Sequence, residues 1–266
     1  MSDGSDGIEA VDTIQKAKNK AMANDILEGK IKLNDEFLLR KPFISVVCIY
    51  PDGTAQDEIH NFIAAIPLHD DIEIVMVGNV QSNEEKCYLD WREGRITNAF
   101  HEVTEFEFDR CRNVAKSIAR GEWIISLDLD EKLLTTGAKL VDSLKLVPPN
   151  VDSLRVTNVS LKTTTKDGIP ESFAGLAIRI FRNLNYINFE GRCHEVVNHT
   201  VARTAQSHFI IQHSGYLCSG EALMRKLERN LLLLCKEVID PRNNQTRQTA
   251  LKYICMTGRD LAPAFT

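Results

Sequence analysis

The sequence predicts an α/β protein built on a parallel sheet that helices cover on both faces. Two short apolar runs, at 43–49 and 72–77, each have the pattern of a buried strand, and a helix-patterned segment at 55–66 lies between them. Strand, helix and strand within about 35 residues define a βαβ unit, in which the two strands are parallel. The apolar run Trp-Ile-Ile-Ser-Leu at 123–127 predicts a further buried strand.

The most clearly patterned helix spans residues 109–120. Its apolar positions fall on one face, at Cys111, Val114, Ala115, Ile118 and Ala119. Asp109 is a suitable N-cap residue, and Gly121 ends the helix directly before the strand at 123–127.

The segments on either side complete a three-part organisation. Residues 1–7 are polar, and 8–39 carry the pattern of one or two amphipathic helices before Pro42. Further elements are predicted as a helix before Pro148, strands within 151–165, 176–182, 186–189 and 207–212, and helices at 221–239 and 246–257. We therefore expect an N-terminal helical segment (1–41), a main α/β domain (42–218) and a C-terminal helical extension (219–266).

Composition is that of an ordinary globular protein. The 266 residues are 43% hydrophobic and 26% charged, and the net charge of −5 argues against a general polyanion-binding surface. The seven cysteines form no Cys-x-x-Cys pair, which favours reduced thiols in the cytoplasm. The sequence contains neither the pattern of a signal peptide nor an apolar run long enough for a transmembrane segment.

Three carboxylates follow the strand at 123–127, namely Asp128, Asp130 and Glu131. In open α/β sheets, ligands bind at the carboxyl ends of the strands. Like charges at this spacing repel unless a cation lies among them, and oxygen ligands suit Mg²⁺ or Mn²⁺. Asp128 and Asp130 would face one metal ion if the chain stays extended. The alternative is that these acids cap a helix or face solvent in a loop.

Several motifs in a fixed order resemble family 2 glycosyltransferases of the Asp-x-Asp type. The motifs are Phe-x-Phe-Asp-Arg-Cys-Arg-Asn-x-Ala at 106–115, Gly-Glu-Trp-Ile-Ile-x-Leu-Asp-Leu-Asp-Glu at 121–131, Arg-Ile-Phe-Arg-Asn at 179–183, Gly-x-x-His-Glu at 191–195, Ile-x-His-x-Gly-Tyr at 211–216 and Lys-x-x-Arg-Asn at 226–230. This resemblance implies the GT-A fold, a Rossmann-like sheet that binds a nucleotide sugar. It covers most of residues 43–240.

The resemblance also implies roles for individual residues. Asp128 and Asp130 match the Asp-x-Asp pair that holds Mn²⁺ or Mg²⁺ on the donor diphosphate, and His213 is a candidate third ligand. Glu195 is the candidate general base that takes the proton of the acceptor hydroxyl. Donor-binding candidates are Arg112, Asn113, Asp128, Arg182 and His194.

Two donor contacts depart from the family pattern. Many family members carry an acid directly after the second strand, where this chain has Asn79. Asn79, or Asp52 in the turn after the first strand, would then contact the nucleoside. The donor is expected to be a UDP- or GDP-sugar.

Each candidate has a structural alternative. Arg112 would instead form a salt bridge with a core carboxylate, and Glu195 would cap a helix or pair with Arg192. His194 and His213 would be buried histidines, His213 because it alternates with apolar residues in its strand. Arg179 and Arg182 would be surface charges that flank a strand, and Trp123 a core residue.

The predicted function is the metal-dependent transfer of a sugar from a nucleotide sugar to an acceptor hydroxyl, with inversion. A nucleotidyltransferase is a weaker alternative because 51–53 lacks the glycine-rich loop that such enzymes need. A non-catalytic domain of the same fold, acting as a binding or scaffold module, stays open. The acceptor class (glycan, lipid-linked sugar, protein or modified base), the sugar and the oligomeric state are not predicted. The segment 221–266 has eight basic and five acidic residues, so its charge is 8 − 5 = +3, which we interpret as a solvated helix face.

Overall fold

The computed structural model describes residues 41–51, 53–67, 69–80, 96–102, 107–164, 170–198, 203–216 and 221–261. The strands are β1 (Ile44–Tyr50), β2 (Ile72–Val80), β3 (Ile96–Glu102), β4 (Trp123–Ser126), β5 (Glu131–Leu133), β6 (Ser153–Thr164), β7 (Pro170–Arg182), β8 (Asn188–Glu190), β9 (Val196–Asn198) and β10 (Thr204–Tyr216). The helices are α1 (Gln56–Ala65), α2 (Phe108–Ile118), α3 (Gly137–Lys145), α4 (Glu221–Ile239) and α5 (Asn244–Leu261).

Eight strands form one mixed sheet in the order β3-β2-β1-β4-β7-β6-β10-β5. The predicted βαβ unit is confirmed, since β1 pairs with β2 in parallel and α1 connects them. β4 also lies parallel to β1, whereas β7 is antiparallel to β4. The carboxyl ends of β1, β2 and β4 therefore meet at one edge of the sheet, and the residues that follow β4 lie at that edge.

Helices cover both faces of this sheet, which confirms the predicted fold class. α1 and α3 pack on one face, where Phe62 and Leu140 join the main core. On the other face, α2 packs through Val114 and Ala115 against a core that includes Phe189 of β8. The two C-terminal helices, α4 and α5, enclose a smaller core of their own around Leu234.

Tight packing at the start of β1, opposite the carboxyl ends of the parallel strands, explains the glycine at position 121. A Cβ atom on Gly121 would lie 2.6 Å from the backbone nitrogen of Ser45, at the start of β1. The Ser45 hydroxyl accepts a hydrogen bond from the Gly121 N–H (2.7 Å) and donates one to Glu73 (2.6 Å). Helix α2 can therefore end and β4 begin in direct contact with β1.

Two local expectations are wrong. Asp109 does not cap α2, because the helix already begins at Phe108, and its carboxylate instead accepts from the Gly191 N–H (3.2 Å). β2 does not end at Gly78, because β3 extends the pairing to Val80; no sequence pattern predicted β3. The expected N-terminal helices (8–39) lie outside the described residues.

None of the described helices is long and apolar enough to cross a membrane.

Candidate active site

The acidic residues after β4 lie at the carboxyl edge of the parallel strands. The Leu127 N–H donates to Val47 of β1 (3.0 Å), which holds the chain against the sheet up to this point. The chain then turns, because the Glu131 N–H donates to the carbonyl of Asp128 (3.0 Å). The extended geometry that would have aimed Asp128 and Asp130 at one point is therefore absent, and the two carboxylates have different partners.

Arg112 of α2 connects two of the predicted site residues. Its side chain is only 2% exposed, and its guanidinium donates to both Asp128 and Glu195. A third hydrogen bond goes to the Ser126 hydroxyl (2.9 Å). Asp128 and Glu195, 67 positions apart in the chain, thus share one buried cation.

Arg179 of β7 supplies a second cation. Its Nη2 donates to Glu131 Oε1 (2.7 Å) and approaches Asp128 Oδ2 (3.4 Å). The pairing of β7 with β6 shifts at this point, from Ile180–Leu154 to Ile178–Arg155, which leaves Arg179 in a β-bulge. Bulges redirect side chains next to functional sites, and here the bulge brings Arg179 to the acidic residues.

The two guanidinium groups set the charge state of the carboxylates. Burial alone would raise the pKa of Asp128, but the charges of Arg112 and Arg179 outweigh it and hold that pKa well below its usual range. Glu131 is fully enclosed, and burial raises its pKa against the opposing charge of Arg179. Asp128 is therefore ionised and compensated by arginine.

Asp130 lies on the open side of the same edge. Its side chain is 37% exposed, and its Oδ2 is 3.3 Å from His213 Nε2 and 3.9 Å from Lys226 Nζ. The other ring nitrogen of His213 lies 3.3 Å from the Ser160 hydroxyl, which orients the ring. Burial acts to lower the pKa of His213, but the hydrogen bond to Asp130 and the surrounding carboxylates raise it.

Glu195 follows a sharply bent segment that ends in His194. Gly191 (φ 108°) and His194 (φ 54°) both adopt left-handed backbone, which is uncommon for a histidine. The His194 ring stacks on Tyr253 of α5 with centroids 3.7 Å apart. Burial, with a contribution from Lys226, lowers the pKa of His194 to about 4, so the ring is neutral at pH 7. His194 is the buried histidine of the alternative interpretation and stands beside the candidate base.

The Glu195 carboxylate is nearly enclosed, at 9% exposure. Arg112 engages its Oε1, and among the described residues no hydrogen bond engages its Oε2. One oxygen of an ionisable, positioned carboxylate is therefore available to a ligand.

The structure gives two predicted donor residues partners other than the acidic residues after β4. Arg182 pairs in register with Trp123, at the opposite end of β4. It stacks over the Trp123 ring (4.4 Å) and forms an ion pair with Glu122. The Asn113 amide bonds to the backbone of Phe189, as donor to its carbonyl (2.9 Å) and as acceptor from its N–H (2.8 Å).

Two further candidates are not placed. Asp52 lies outside the described residues. Asn79 lies in β2, paired with His101 of β3, and its side chain is outside the described part of the structure.

Sequence reasoning missed three contributors to the site. The sequence interpretation of Arg179 favours a surface charge, although this residue stands in one of the motifs quoted above. Ser126 was not considered, and Lys226 was grouped with the solvated face of its helix. Both basic residues stand in motifs quoted above, at 179–183 and 226–230, and this was the available signal.

The side chains at this site fit the expected divalent metal ion only in part. Within the described residues, no group of three His, Cys, Asp or Glu side chains is arranged to hold a metal. Asp128 does not fit, because both of its oxygens face guanidinium groups. Asp130 and His213 do fit as a pair of neighbouring oxygen and nitrogen ligands. A metal ion at this edge would therefore need further ligands from the substrate.

Comparison with known proteins gives only distant likenesses. No protein-family model and no curated protein matches the sequence. Among solved structures, the mannosyltransferase PcManGT from Pyrobaculum calidifontis in complex with GDP-Man and Mn²⁺ is 13% identical, with 96% of this chain and 86% of that chain covered and a TM-score of 0.46. S. aureus TarS 1-349 in complex with UDP-GlcNAc is 15% identical, with 83% and 74% covered and a TM-score of 0.42.

A longer structure of S. aureus TarS is 16% identical, with a TM-score of 0.40. This chain matches it over 81% of its own length but spans only 43% of that chain. At these identities and TM-scores the site must be interpreted from its own residues.

Proposed function

We propose that this chain is a glycosyltransferase that moves a sugar from a UDP- or GDP-sugar to an acceptor hydroxyl with inversion. The observation that carries the proposal is the Arg112 bridge, which holds Asp128 and Glu195 on one buried guanidinium at the ligand-binding edge of the sheet. Such a site has a fixed carboxylate for proton transfer and fixed charges around the place where a donor would bind.

Glu195 acts as the general base. Its Oε2 takes the proton from the acceptor hydroxyl while the acceptor oxygen forms a bond to the anomeric carbon of the sugar. The bond from that carbon to the phosphate oxygen breaks, and the nucleoside diphosphate leaves with the electron pair. A single displacement of this kind inverts the anomeric centre and needs no covalent intermediate.

Arg112 and Arg179 keep the acidic residues in place and in the ionised state that Asp128 requires. Because the Asp128 charge is already compensated, its carboxylate is suited to accept hydrogen bonds from sugar or ribose hydroxyls without a large cost of desolvation. Asp130 and His213 would hold the divalent cation. When bound, the cation supplies Lewis acidity toward the departing diphosphate.

Nucleotide binding tests the proposal directly. Thermal unfolding is followed with UDP, GDP, CDP, ADP and dTDP, each with Mn²⁺, with Mg²⁺ and without metal. Because a ligand that binds only the native state raises the midpoint by mass action, we expect one nucleotide to raise it by an amount that depends on metal. Asp130→Ala should remove the metal-dependent part.

Asp142→Ala is the matched control, since Asp142 is an exposed residue of α3. It should respond to nucleotide as the unmodified chain does. A chain that folds normally but responds to no nucleotide, with or without metal, would contradict the proposal. An equal response in Asp130→Ala would contradict the assignment of the cation to Asp130.

A further inference from the structure

One partly buried arginine differs from the others. Of the described arginines, seven form ion pairs with carboxylates: Arg110, Arg112, Arg120, Arg179, Arg182, Arg192 and Arg242. Four more are exposed to solvent, namely Arg155, Arg203, Arg225 and Arg247. Arg229 of α4 is partly buried, and within the described residues it pairs with no carboxylate.

The direct contacts of Arg229 include no carboxylate. Its Nε (3.2 Å) and Nη2 (3.1 Å) donate to the amide oxygen of Asn230, and its guanidinium lies over the Phe108 ring (5.3 Å). Burial lowers the pKa of Arg229, and the charge of Asp128 opposes this shift without reversing it. No described carboxylate forms an ion pair with this partly buried cation, which leaves it able to bind an anionic ligand.

Lys226 lies one turn before Arg229 on the same face of α4. Residues three apart on a helix are neighbours, so the two cations lie side by side. Lys226 Nζ is 3.9 Å from Asp130 Oδ2, and the side chain is one-third exposed. The positive pair therefore reaches the open side of the candidate active site.

The pair also adjoins the segment that carries Glu195. Arg229 and Lys226 both act electrostatically on Cys193, and Lys226 contributes to the low pKa of His194. Phe108, under the Arg229 guanidinium, packs against the same small core as Cys193. The cations thus lie between Asp130 on one side and the residues before Glu195 on the other.

We propose that Lys226 and Arg229 bind a phosphoryl group of a ligand between Asp130 and the segment 191–195. A phosphate dianion would compensate Arg229 and would accept a further charge-assisted hydrogen bond from Lys226. This site deepens the proposed function and rests on it for the identity of the ligand. The phosphoryl group belongs either to the donor diphosphate or to a phosphorylated acceptor.

Binding of inorganic phosphate tests the site without any assumption about nucleotides. Isothermal titration of the full chain is carried out at constant ionic strength, with chloride replaced by phosphate. Because each charge-assisted hydrogen bond contributes measurably to affinity, Arg229→Gln should weaken phosphate binding by roughly tenfold or more. Lys226→Gln should weaken it as well.

Lys236→Gln is the matched control, because Lys236 is an exposed lysine of the same helix. It should bind phosphate within about twofold of the unmodified chain, as expected for a screened surface charge. Arg229→Lys keeps the charge and guards against misfolding of Arg229→Gln. Phosphate binding unchanged by loss of either cation, or no phosphate binding by the unmodified chain, would overturn the proposal.

A second arm identifies the source of the phosphoryl group. Phosphate is titrated again in the presence of saturating UDP or GDP, whichever binds. Competition assigns the site to the donor diphosphate, and undiminished phosphate binding assigns it to the acceptor. A chain that binds phosphate through Arg229 but no nucleotide would support this site while contradicting the glycosyltransferase proposal, so the two failures are distinguishable.

Discussion

Helix α2 takes part in two clusters of arginines and carboxylates that differ in how completely their hydrogen bonds are satisfied. The first, the active-site cluster, contains Arg112, Arg179, Asp128, Glu131 and Glu195. The second, the loop-anchoring cluster, contains Arg192, Arg242, Glu107, Asp109 and Glu237. The exposed side of the second cluster adds Arg110, paired with Glu107, and Asp240, paired with Arg192. Both clusters join distant parts of the chain.

The loop-anchoring cluster is saturated. Glu237 is 1% exposed and accepts from the N–H groups of Arg192 (3.1 Å) and Arg242 (2.7 Å) and from the Thr246 hydroxyl (2.6 Å). Glu107 accepts from Arg192 (2.8 Å) and Arg242 (2.6 Å) through its two oxygens. This cluster fixes the segment 191–195 to α2 and to the connection between α4 and α5.

The active-site cluster has carboxylate oxygens that are still able to accept hydrogen bonds. Asp128 is 32% exposed, and the Glu195 Oε2 has no hydrogen-bond partner among the described residues. The comparison teaches that the same residue types serve structure where all their hydrogen bonds are made, and are available for chemistry where some are left open. Three substitutions test this difference.

Glu195→Gln should have the largest effect. It removes the proposed base while keeping the shape of the side chain, and loss of a general base typically costs about 10²–10⁴-fold in rate. The measurement is release of nucleoside diphosphate, with water as acceptor, from a sugar nucleotide that carries the base identified by the thermal panel. Nucleotide binding, followed by the thermal shift, should persist because Arg112 and Asp130 are unchanged. A variant that retains the full rate would show that Glu195 is only a partner of Arg112.

Glu237→Gln should affect stability instead. It removes one of the negative charges that compensate Arg192 and replaces one of two acceptor oxygens by an NH₂ group. Breaking a buried ion pair costs about 3–5 kcal/mol. Urea unfolding of the purified variant gives the free energy of unfolding. Glu122→Gln is the control, because Glu122 is largely exposed in its pair with Arg182, and loss of a surface pair costs about 0–1 kcal/mol. Equal losses in the two variants would break the distinction between saturated and exposed ion pairs.

The parts of this molecule that depend on local sequence were predictable. The βαβ unit and helix α2 follow from apolar periodicity, which is a local property, and their bounds agree with the structure to within a few residues. Asp128 and Asp130 were found because charge directly follows a buried strand. The turn that separates the two carboxylates was not predictable from an Asp-x-Asp spacing that fits strand and turn equally well.

The remaining parts depend on contacts between distant segments. Arg179 and Arg182 have similar surroundings in sequence, yet a bulge brings Arg179 to the acidic residues while Arg182 stacks on Trp123 at the other edge. The side chain of Asn113 is committed to Phe189, 76 positions away. No periodicity in a single sequence reveals such pairings, because strand register and bulges arise only when the sheet forms.

His194→Asn should have the smallest effect, a change in how stability depends on pH. His194 lies between Arg192 of the loop-anchoring cluster and Glu195 of the active-site cluster. The folded chain keeps His194 neutral, with a pKa of about 4, whereas a histidine in the unfolded chain has a pKa near 6.5. Below pH 6.5 the unfolded state therefore binds more protons than the folded state. The stability present above pH 6.5 is lost progressively as the pH falls toward 4, by about 3 kcal/mol at most.

Urea unfolding at several values between pH 7.5 and pH 4.5 measures this dependence. Asparagine tolerates the left-handed backbone at position 194 and does not titrate, so the variant should lose stability less steeply than the unmodified chain over this range. His60→Asn is the control, since His60 is exposed on α1, and it should leave the pH dependence unchanged. Equal slopes in His194→Asn and the unmodified chain would mean that His194 takes up its proton in the folded state over the same pH range as in the unfolded chain. The ring stacked on Tyr253 would then carry a positive charge beside Lys226 at the low end of this range. The proposed phosphate site alone would not explain why the cations of α4 lie next to Glu195.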